Sequence, residues 1–174
     1  MNSQSDKDAN IAEAVRLIKE AALSAPQIIA LPEYFACLSD NPNEMHASAE
    51  VLPPDGHGAD AYATMSSLAK ELGLTIHAGS IVEQHGNSFF NTTIVFGPNG
   101  DDIARYRKIH LFDVDVPGGA SYRESDSVAR GEGVTTYKVG DVTVGCGICY
   151  DLRFPELFRA LRDQGAEVIV LPAA

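Results

Sequence analysis

Several things are missing from this sequence, and each absence excludes something. No apolar run approaches the roughly 20 residues that a membrane helix needs. The first ten residues, MNSQSDKDAN, are polar, so a secretory leader is not expected and a cytoplasmic location is. Basic residues are scarce: 13 Lys and Arg against 24 Asp and Glu give a formal net charge of −11. Nucleic acids and anionic membranes want a basic face, so neither is an expected partner. Cysteine is scarce and odd in number, with three in the chain. That does not suggest a disulfide framework, and at least one thiol stays unpaired within the chain. No second C-x-x-C and no downstream histidine pair accompanies the one C-x-x-C, so no zinc site is expected.

What is present is an ordinary globular composition, 45% apolar and 21% charged. The 174 residues suit one domain, 1–174, that buries roughly 70% of the surface its unfolded chain exposes. Asn10 and Glu13 have the spacing of a capping box. Ile11, Val15, Ile18 and Ala22 follow on one helical face. QIIALP reads as a short buried strand, with Glu33 directly after it. Residues 40–57 read as loop, 59–72 as a helix stopped by Gly73. TIHAGSIVEQ and FFNTTIVFG read as strands joined by a hairpin turn at HGNS. IARYRKIHLF is a further strand, and residues 118–133 a long polar loop. TTYKV and VTVGCGIC pair across Gly140-Asp141. Pro155 opens a last helix, and EVIVLP is a final strand.

The beginning echoes the end. "Helix, SAPQIIALPEY" and "helix, QGAEVIVLPAA" are each a helix, a tight turn, a buried strand and Leu-Pro. The first unit carries Glu33 after Leu-Pro and the second carries Ala173. A glutamate absent from the matching position is not needed by the scaffold alone, which favours function for Glu33.

The C-x-x-C pair is Cys146 and Cys149. A thioredoxin-like reading needs the pair at a helix start. Here the residues before and between the thiols are strand-like, and the helix begins only at Pro155. Residues three apart on a strand point to opposite faces, too far for a disulfide without a bend. What remains is a single nucleophile, Cys149, at a strand end before a turn and a helix, as in a nucleophile elbow. Two buried packing thiols are the competing reading, since burial is the common fate of free cysteine.

With LPEYF at Glu33, YRKIHLF at Lys108 and CYDLRFPEL at Cys149, the sequence resembles the nitrilase superfamily of carbon–nitrogen hydrolases. These enzymes use a Glu-Lys-Cys triad in this chain order. DVDVPGGASYRESD resembles the branch of ω-amidases and deaminated-glutathione amidases, where a second glutamate matches Glu124. The resemblance implies an α/β fold, an α-β-β-α sandwich. It implies Cys149 as nucleophile, Glu33 as general base and Lys108 as oxyanion partner. Glu124 would position base and substrate, and the Tyr150 N–H would complete the oxyanion hole. The implied reaction is hydrolysis of a small linear amide through a Cys thioester, without cofactor or metal.

Each assignment has a plainer rival. Lys108 alone reads as a solvated strand lysine and Glu124 as a solvated loop carboxylate. Tyr106, Lys108 and His110 share one strand face, with Arg105, Arg107 and Ile109 on the other. His110 reads as structural, as do His46, His57, His77 and His85. Arg153 and Glu156 flank the nucleophile turn and are expected to fix its shape. The basic residues Arg105, Arg107, Lys108 and His110 suggest an amide substrate that bears a carboxylate.

Members of this superfamily are longer at both ends, so the resemblance implies an incomplete sandwich. Unpaired sheet edges and uncovered apolar faces, such as that of Val168 and Val170, predict a homodimer or higher homo-oligomer. Two other readings stay open: an inactive truncated scaffold, and a nitrilase or N-carbamoyl hydrolase with the same triad.

Overall fold

A computed structural model describes residues 1–119 and 121–174. Ala120, within the long loop of the sequence reading, lies outside the described residues. In chain order the elements are α1 (Lys7–Ala22), β1 (Ile28–Ala30), α2 (Pro42–Ala47), α3 (Asp60–Leu72), β2 (Thr75–His77), β3 (Ile81–His85) and β4 (Ser88–Phe96). Then follow β5 (Asp102–Arg107), β6 (Asp113–Asp115), β7 (Ser121–Arg123), β8 (Thr136–Val139), β9 (Val142–Cys146), α4 (Pro155–Asp163) and β10 (Val168–Val170).

The nine-residue β4 organises the first sheet. Along one edge it pairs antiparallel with β3 and then β2, and along the other with β5; β1 adds parallel to β2. The second sheet runs β10-β9-β8, with β10 parallel to β9. Ile18 of α1 and Met65 and Leu68 of α3 pack on Ile76, Ile94 and Phe96 of the first sheet. The opposite face supplies Val95 and Tyr106, which meet Tyr137, Val144 and Cys146 of the second sheet, with Leu157 and Leu161 of α4 in the same cluster. Helices, sheet, sheet and helix therefore form the four layers of an α-β-β-α sandwich. His77 of β2 is joined to Tyr137 of β8 by a hydrogen bond between Nδ1 and the phenol oxygen, 2.9 Å long, which ties the two sheets together.

Several elements depart from the sequence expectation. α1 begins earlier: Asp6 is its cap, accepting from the Ala9 N–H. Asn10 lies buried inside the helix, where its amide donates to the Gln4 and Ala36 carbonyls. These tertiary bonds override the local capping pattern. α2 falls in the stretch read as loop; it is six residues long and buries none of them, so it leaves no apolar period to detect. α3 ends at Gly73, left-handed at φ 63, as expected. Its N-terminus has no local cap. The buried carboxylate of Glu50 takes that role from a distance, accepting from the Ala59, Ala61 and Tyr62 N–H groups while pairing with Lys7 at 2.8 Å. A negative charge is favoured at this positive end of the helix dipole.

TIHAGSIVEQ is two strands, broken at Ala78–Ser80, and IARYRKIHLF stops at Arg107, so Lys108 lies just past the strand end. The polar loop holds β7 and a short 3-10 turn at Glu124–Asp126. The β8–β9 hairpin pairs Val139 with Val142 as the Gly140-Asp141 signal predicts. No helix among the described residues is long and apolar enough to cross a membrane. β1 and β10 are sheet edges, and Val168 on β10 is 49% exposed.

Candidate active site

The segments that follow β1 and β7 bring two carboxylates to one ammonium group, which itself follows β5. Lys108 is 2% exposed, yet its Nζ lies 3.0 Å from Glu33 Oε1 and 2.9 Å from Glu124 Oε2. A buried lysine is tolerated only when paired. Burial alone would lower its pKa, but the charges of Glu33 and Glu124 outweigh burial and raise it, so the group stays an ammonium. Both glutamates are buried as well. An ammonium has three donors; two are taken here and the third has no acceptor among the described residues.

Glu33 follows β1 through Leu31-Pro32. Its Oε2 accepts from the Ala174 N–H at 3.0 Å, so the far end of the second Leu-Pro unit reaches it. Glu124 is held by the Phe112 N–H on Oε2 at 2.7 Å and by the Tyr34 hydroxyl on Oε1 at 3.1 Å. Tyr34 takes a left-handed backbone, φ 50. Burial, then the charges of Glu124 and Glu33, keep its phenol protonated, with a pKa well above the ordinary value.

Cys149 sits at the first residue of a 3-10 turn, Cys149–Arg153, that follows β9. Its backbone is also left-handed, φ 46, unusual for a residue with a Cβ. Its N–H donates to the Pro172 carbonyl at 2.7 Å. The Tyr150 N–H makes no backbone or side-chain hydrogen bond among the described residues. Burial comes first, then the carboxylate of Glu33, in pushing the Cys149 thiol up; Lys108 partly opposes them. The resting side chain is a thiol that faces a carboxylate, and a base must take its proton before it can attack. Cys146 is fully buried on β9, and burial pushes its thiol up to about 12. All three cysteines are unpaired.

The turn is fixed by Asp151, not by Arg153 or Glu156. The Asp151 carboxylate accepts from the Ile148 N–H, the Tyr106 hydroxyl and the His110 N–H at 2.9, 2.7 and 3.1 Å. His110 Nδ1 is 2.7 Å from Asp151, and its ring stacks on Phe154 with centroids 3.8 Å apart. His110 is thus structural, as the sequence suggests. Arg153 and Glu156 are exposed. The shape of the turn needs an acceptor inside it, and both of them point out.

Glu33, Lys108, Glu124 and Cys149 line one cavity of about 290 Å³, walled by Tyr34, Leu38, Phe112, Tyr122 and Ala174. Lys108 is the cation of this lining. Arg105 and Arg107 line a separate cavity of about 640 Å³. Arg107 pairs with Glu83 and covers the Phe90 ring at 4.0 Å; Arg105 pairs with Asp102. The basic cluster read from the sequence is therefore divided between two faces of the first sheet, and only Lys108 faces the thiol.

Sequence reasoning missed Asn91, Tyr34, Asp151 and Tyr106. Asp151 lies inside the quoted CYDLRFPEL, and Tyr34 inside LPEYF. Their side chains were signalled only by adjacency to the candidate residues. Asn91, inside a strand of β-branched and aromatic residues, was signalled by being polar where the pattern asks for an apolar side chain.

The chain is 39% identical to the omega-amidase NIT2-B of Xenopus laevis and 37% identical to the omega-amidase NIT2 of Homo sapiens. Each match covers 97% of this chain and 59% of the relative. The chain thus spans about three fifths of the length of these relatives. Among solved structures it is similar to Saccharomyces cerevisiae Nit3, a member of branch 10 of the nitrilase superfamily. That match has a TM-score of 0.85 and 29% identity, and covers 99% of this chain and 61% of that one. The carbon-nitrogen hydrolase family profile matches residues 1–173. The four-layer sandwich and the matches agree: this chain belongs to the carbon-nitrogen hydrolase family.

Proposed function

We propose that this chain is the triad-bearing part of a thiol amidase, which hydrolyses a small linear amide to a carboxylic acid and ammonia. The observation that carries the reading is one cavity in which a buried ammonium joins two carboxylates beside a half-buried thiol. Family membership and relatives named as omega-amidases support amide chemistry.

The steps follow from the donors and acceptors. Glu33 takes the Cys149 proton as Sγ attacks the amide carbonyl carbon. The carbonyl oxygen becomes an oxyanion, met by the free Tyr150 N–H and the third donor of Lys108. One such donor contributes about 3–4 kcal/mol of transition-state stabilisation. Glu33 returns its proton to the leaving nitrogen, the C–N bond breaks, ammonia departs and a thioester remains. Glu33 then takes a proton from water, whose oxygen attacks the thioester carbonyl. The C–S bond breaks, Cys149 regains its proton and the acid leaves. A single carboxylate serves both half-reactions because its protonation state is restored after each. Glu124 acts on the reaction through Lys108. We further propose a homodimer or larger homo-oligomer.

The test is ammonia release from a panel of short amides, nitriles and N-carbamoyl compounds, with mass spectrometry of the quenched protein. Amide turnover with an acyl adduct on Cys149 is expected. Turnover confined to nitriles or carbamoyl compounds would move the protein to another branch, and a folded protein with no adduct from any substrate would make it a scaffold.

A further inference from the structure

At the centre of β4, Asn91 is fully buried, and its polar atoms address three members of the site. Its backbone carbonyl accepts from the Lys108 N–H at 2.9 Å. Its side-chain Nδ2 donates to Glu33 Oε1 at 2.9 Å and to Glu124 Oε1 at 3.1 Å. Its Oδ1 has no protein partner among the described residues. The orientation of the amide follows from chemistry: turned over, it would set an oxygen against two carboxylates. All of the side chain's hydrogen bonding therefore goes to the two glutamates, as two donors on one nitrogen.

We infer that Asn91 is a positioning residue, whose single amide nitrogen clamps the base Glu33 and the second acid Glu124 at a fixed separation around Lys108. The inference rests on the amidase reading for the role of Glu33, but the clamp itself is geometry. Two carboxylates and one ammonium leave a net charge of −1 in a buried place. Donors that bond the charged form of a carboxylate favour that form. Asn91 supplies one to each glutamate without adding charge, which a second lysine would not do. The groups that face it are Glu33, Glu124 and Lys108, with Tyr34 and Cys149 next in line around the same cavity. Glu83 and Arg107 belong to the other side of the sheet, where Thr92, the next residue along β4, donates to Glu83.

Without the clamp, Glu33 and Glu124 are free to close on Lys108 or to share a proton. Asn91→Leu keeps the volume and the backbone bond to Lys108 but removes both donors. We expect kcat on a good amide substrate to fall by on the order of a hundredfold, the cost of a displaced reacting group, with KM changed little. That split is itself the mark of positioning, since a residue that only filled space would not lower kcat with KM unmoved. Asn91→Gln keeps an amide nitrogen on a longer arm and should recover part of kcat.

A second readout does not depend on amide turnover. The rate of Cys149 alkylation by iodoacetamide, followed against pH in the unmodified chain and in both variants, reports the Glu33–Lys108 arrangement directly. That profile should change in Asn91→Leu and return part of the way in Asn91→Gln. If alkylation and turnover profiles of Asn91→Leu superpose on those of the parent, Asn91 is packing and the inference is lost. If alkylation shifts as expected while neither protein turns over any amide, the clamp stands and the amidase reading fails. Where Asn91→Leu does not fold by circular dichroism, Asn91→Gln carries the test, and profiles identical to the parent's would overturn the clamp.

Discussion

The two Leu-Pro units of the molecule are built alike and end differently. In the first, α1 leads to β1, which lies parallel to β2 with Ala30 opposite His77. In the second, α4 leads to β10, which lies parallel to β9 with Val170 opposite Cys146. Three residues past the partner strand's last residue stand Ser80 in one unit and Cys149 in the other. The Ser80 N–H donates to the Pro32 carbonyl at 3.3 Å, and the Cys149 N–H to the Pro172 carbonyl at 2.7 Å. Ser80 is therefore the scaffold counterpart of the candidate nucleophile. It is fully buried, and its Oγ accepts from the Tyr34 N–H.

The difference lies in where each turn places its left-handed residue. The first unit uses Gly79, φ 47, where a Cβ would lie 1.9 Å from the Pro32 carbonyl oxygen. The second uses Cys149 itself, φ 46. A bend that a glycine makes without a Cβ has been moved one residue on and given to the thiol. The same move appears after Leu-Pro, where one unit has a carboxylate and the other leaves backbone N–H and C=O groups at the site. Two copies of one scaffold thus contribute differently to one cavity: the first places Glu33 there, the second Cys149 and the main chain of Ala174.

The sharpest way to break this comparison is to exchange the roles it assigns. Cys149→Ala should lower amide turnover by at least about ten-thousandfold, the scale seen when a nucleophile is deleted. Cys146→Ala should leave turnover largely intact, because a fully buried thiol held up to about 12 takes no part in attack. Ser80→Ala should leave the chemistry of Cys149 in place and cost about 1–2 kcal/mol of stability through the unpaired Tyr34 N–H. Equal losses of turnover in Cys146→Ala and Cys149→Ala, with both proteins folded, would restore the paired-thiol reading.

Next in size is the charge balance between the units. Lys108→Ala removes the cation between two buried carboxylates. Turnover should fall by about a hundred- to a thousandfold, and the protein should lose about 3–5 kcal/mol of stability, measured by urea unfolding at pH 7. Glu33→Gln keeps the shape and loses the base, so turnover should fall by about a hundred- to ten-thousandfold. A Glu33→Gln protein with normal turnover would remove Glu33 from the chemistry.

Much of this was legible in the sequence. LPEYF, YRKIHLF and CYDLRFPEL point to Glu33, Lys108 and Cys149 through the family resemblance, and the three residues line one cavity; Lys108 by itself reads as a mid-strand lysine. Their meeting follows from the resemblance and from no local pattern, because Lys108 and Glu33 are 75 positions apart and the pairing depends on the registers of β1 on β2, β2 on β4 and β4 on β5. Asn91 and Asp151 act through bonds to groups far along the chain, which no local period reports. The division of the basic cluster was legible from the strand period. Neighbours in sequence alternate across a strand, so Arg107 and Lys108 serve different faces. Asn10 misled because a capping pattern is local, and the Gln4 and Ala36 carbonyls that claim its amide come from segments outside the helix.

A pH effect tests the tie between the units. His77, at the end of β2, is fully buried, and burial lowers its pKa from 6.5 to about 3. The unfolded chain binds a proton on this residue below pH 6.5 and the folded chain does not until about pH 3. Stability from this group is therefore fully present above its unfolded pKa and is lost as pH falls through the window between the two values. Between pH 7 and pH 5 the loss should be about 2 kcal/mol. His77→Gln should remove that share of the pH dependence, read from urea midpoints at the two pH values. An unchanged slope would mean that another group carries it.

The smallest effect bears most directly on the moved bend. A left-handed backbone at a residue with a Cβ costs about 1–3 kcal/mol. Replacing Cys149 by glycine removes that cost, while the freer unfolded chain gives back about 0.4–1 kcal/mol. Replacing it by alanine removes the same sulfur and keeps the Cβ in the strained position. Elsewhere in a folded element glycine is less stable than alanine by roughly 0.5–1 kcal/mol. At position 149 the order should reverse, with Cys149→Gly equal to Cys149→Ala or more stable by up to about 1 kcal/mol. Urea unfolding of the two inactive proteins measures this without any assay of turnover. If glycine proves the weaker of the two by its usual margin, Cys149 carries no strain, and the left-handed turn has not been transferred from Gly79's place in one unit to the thiol in the other.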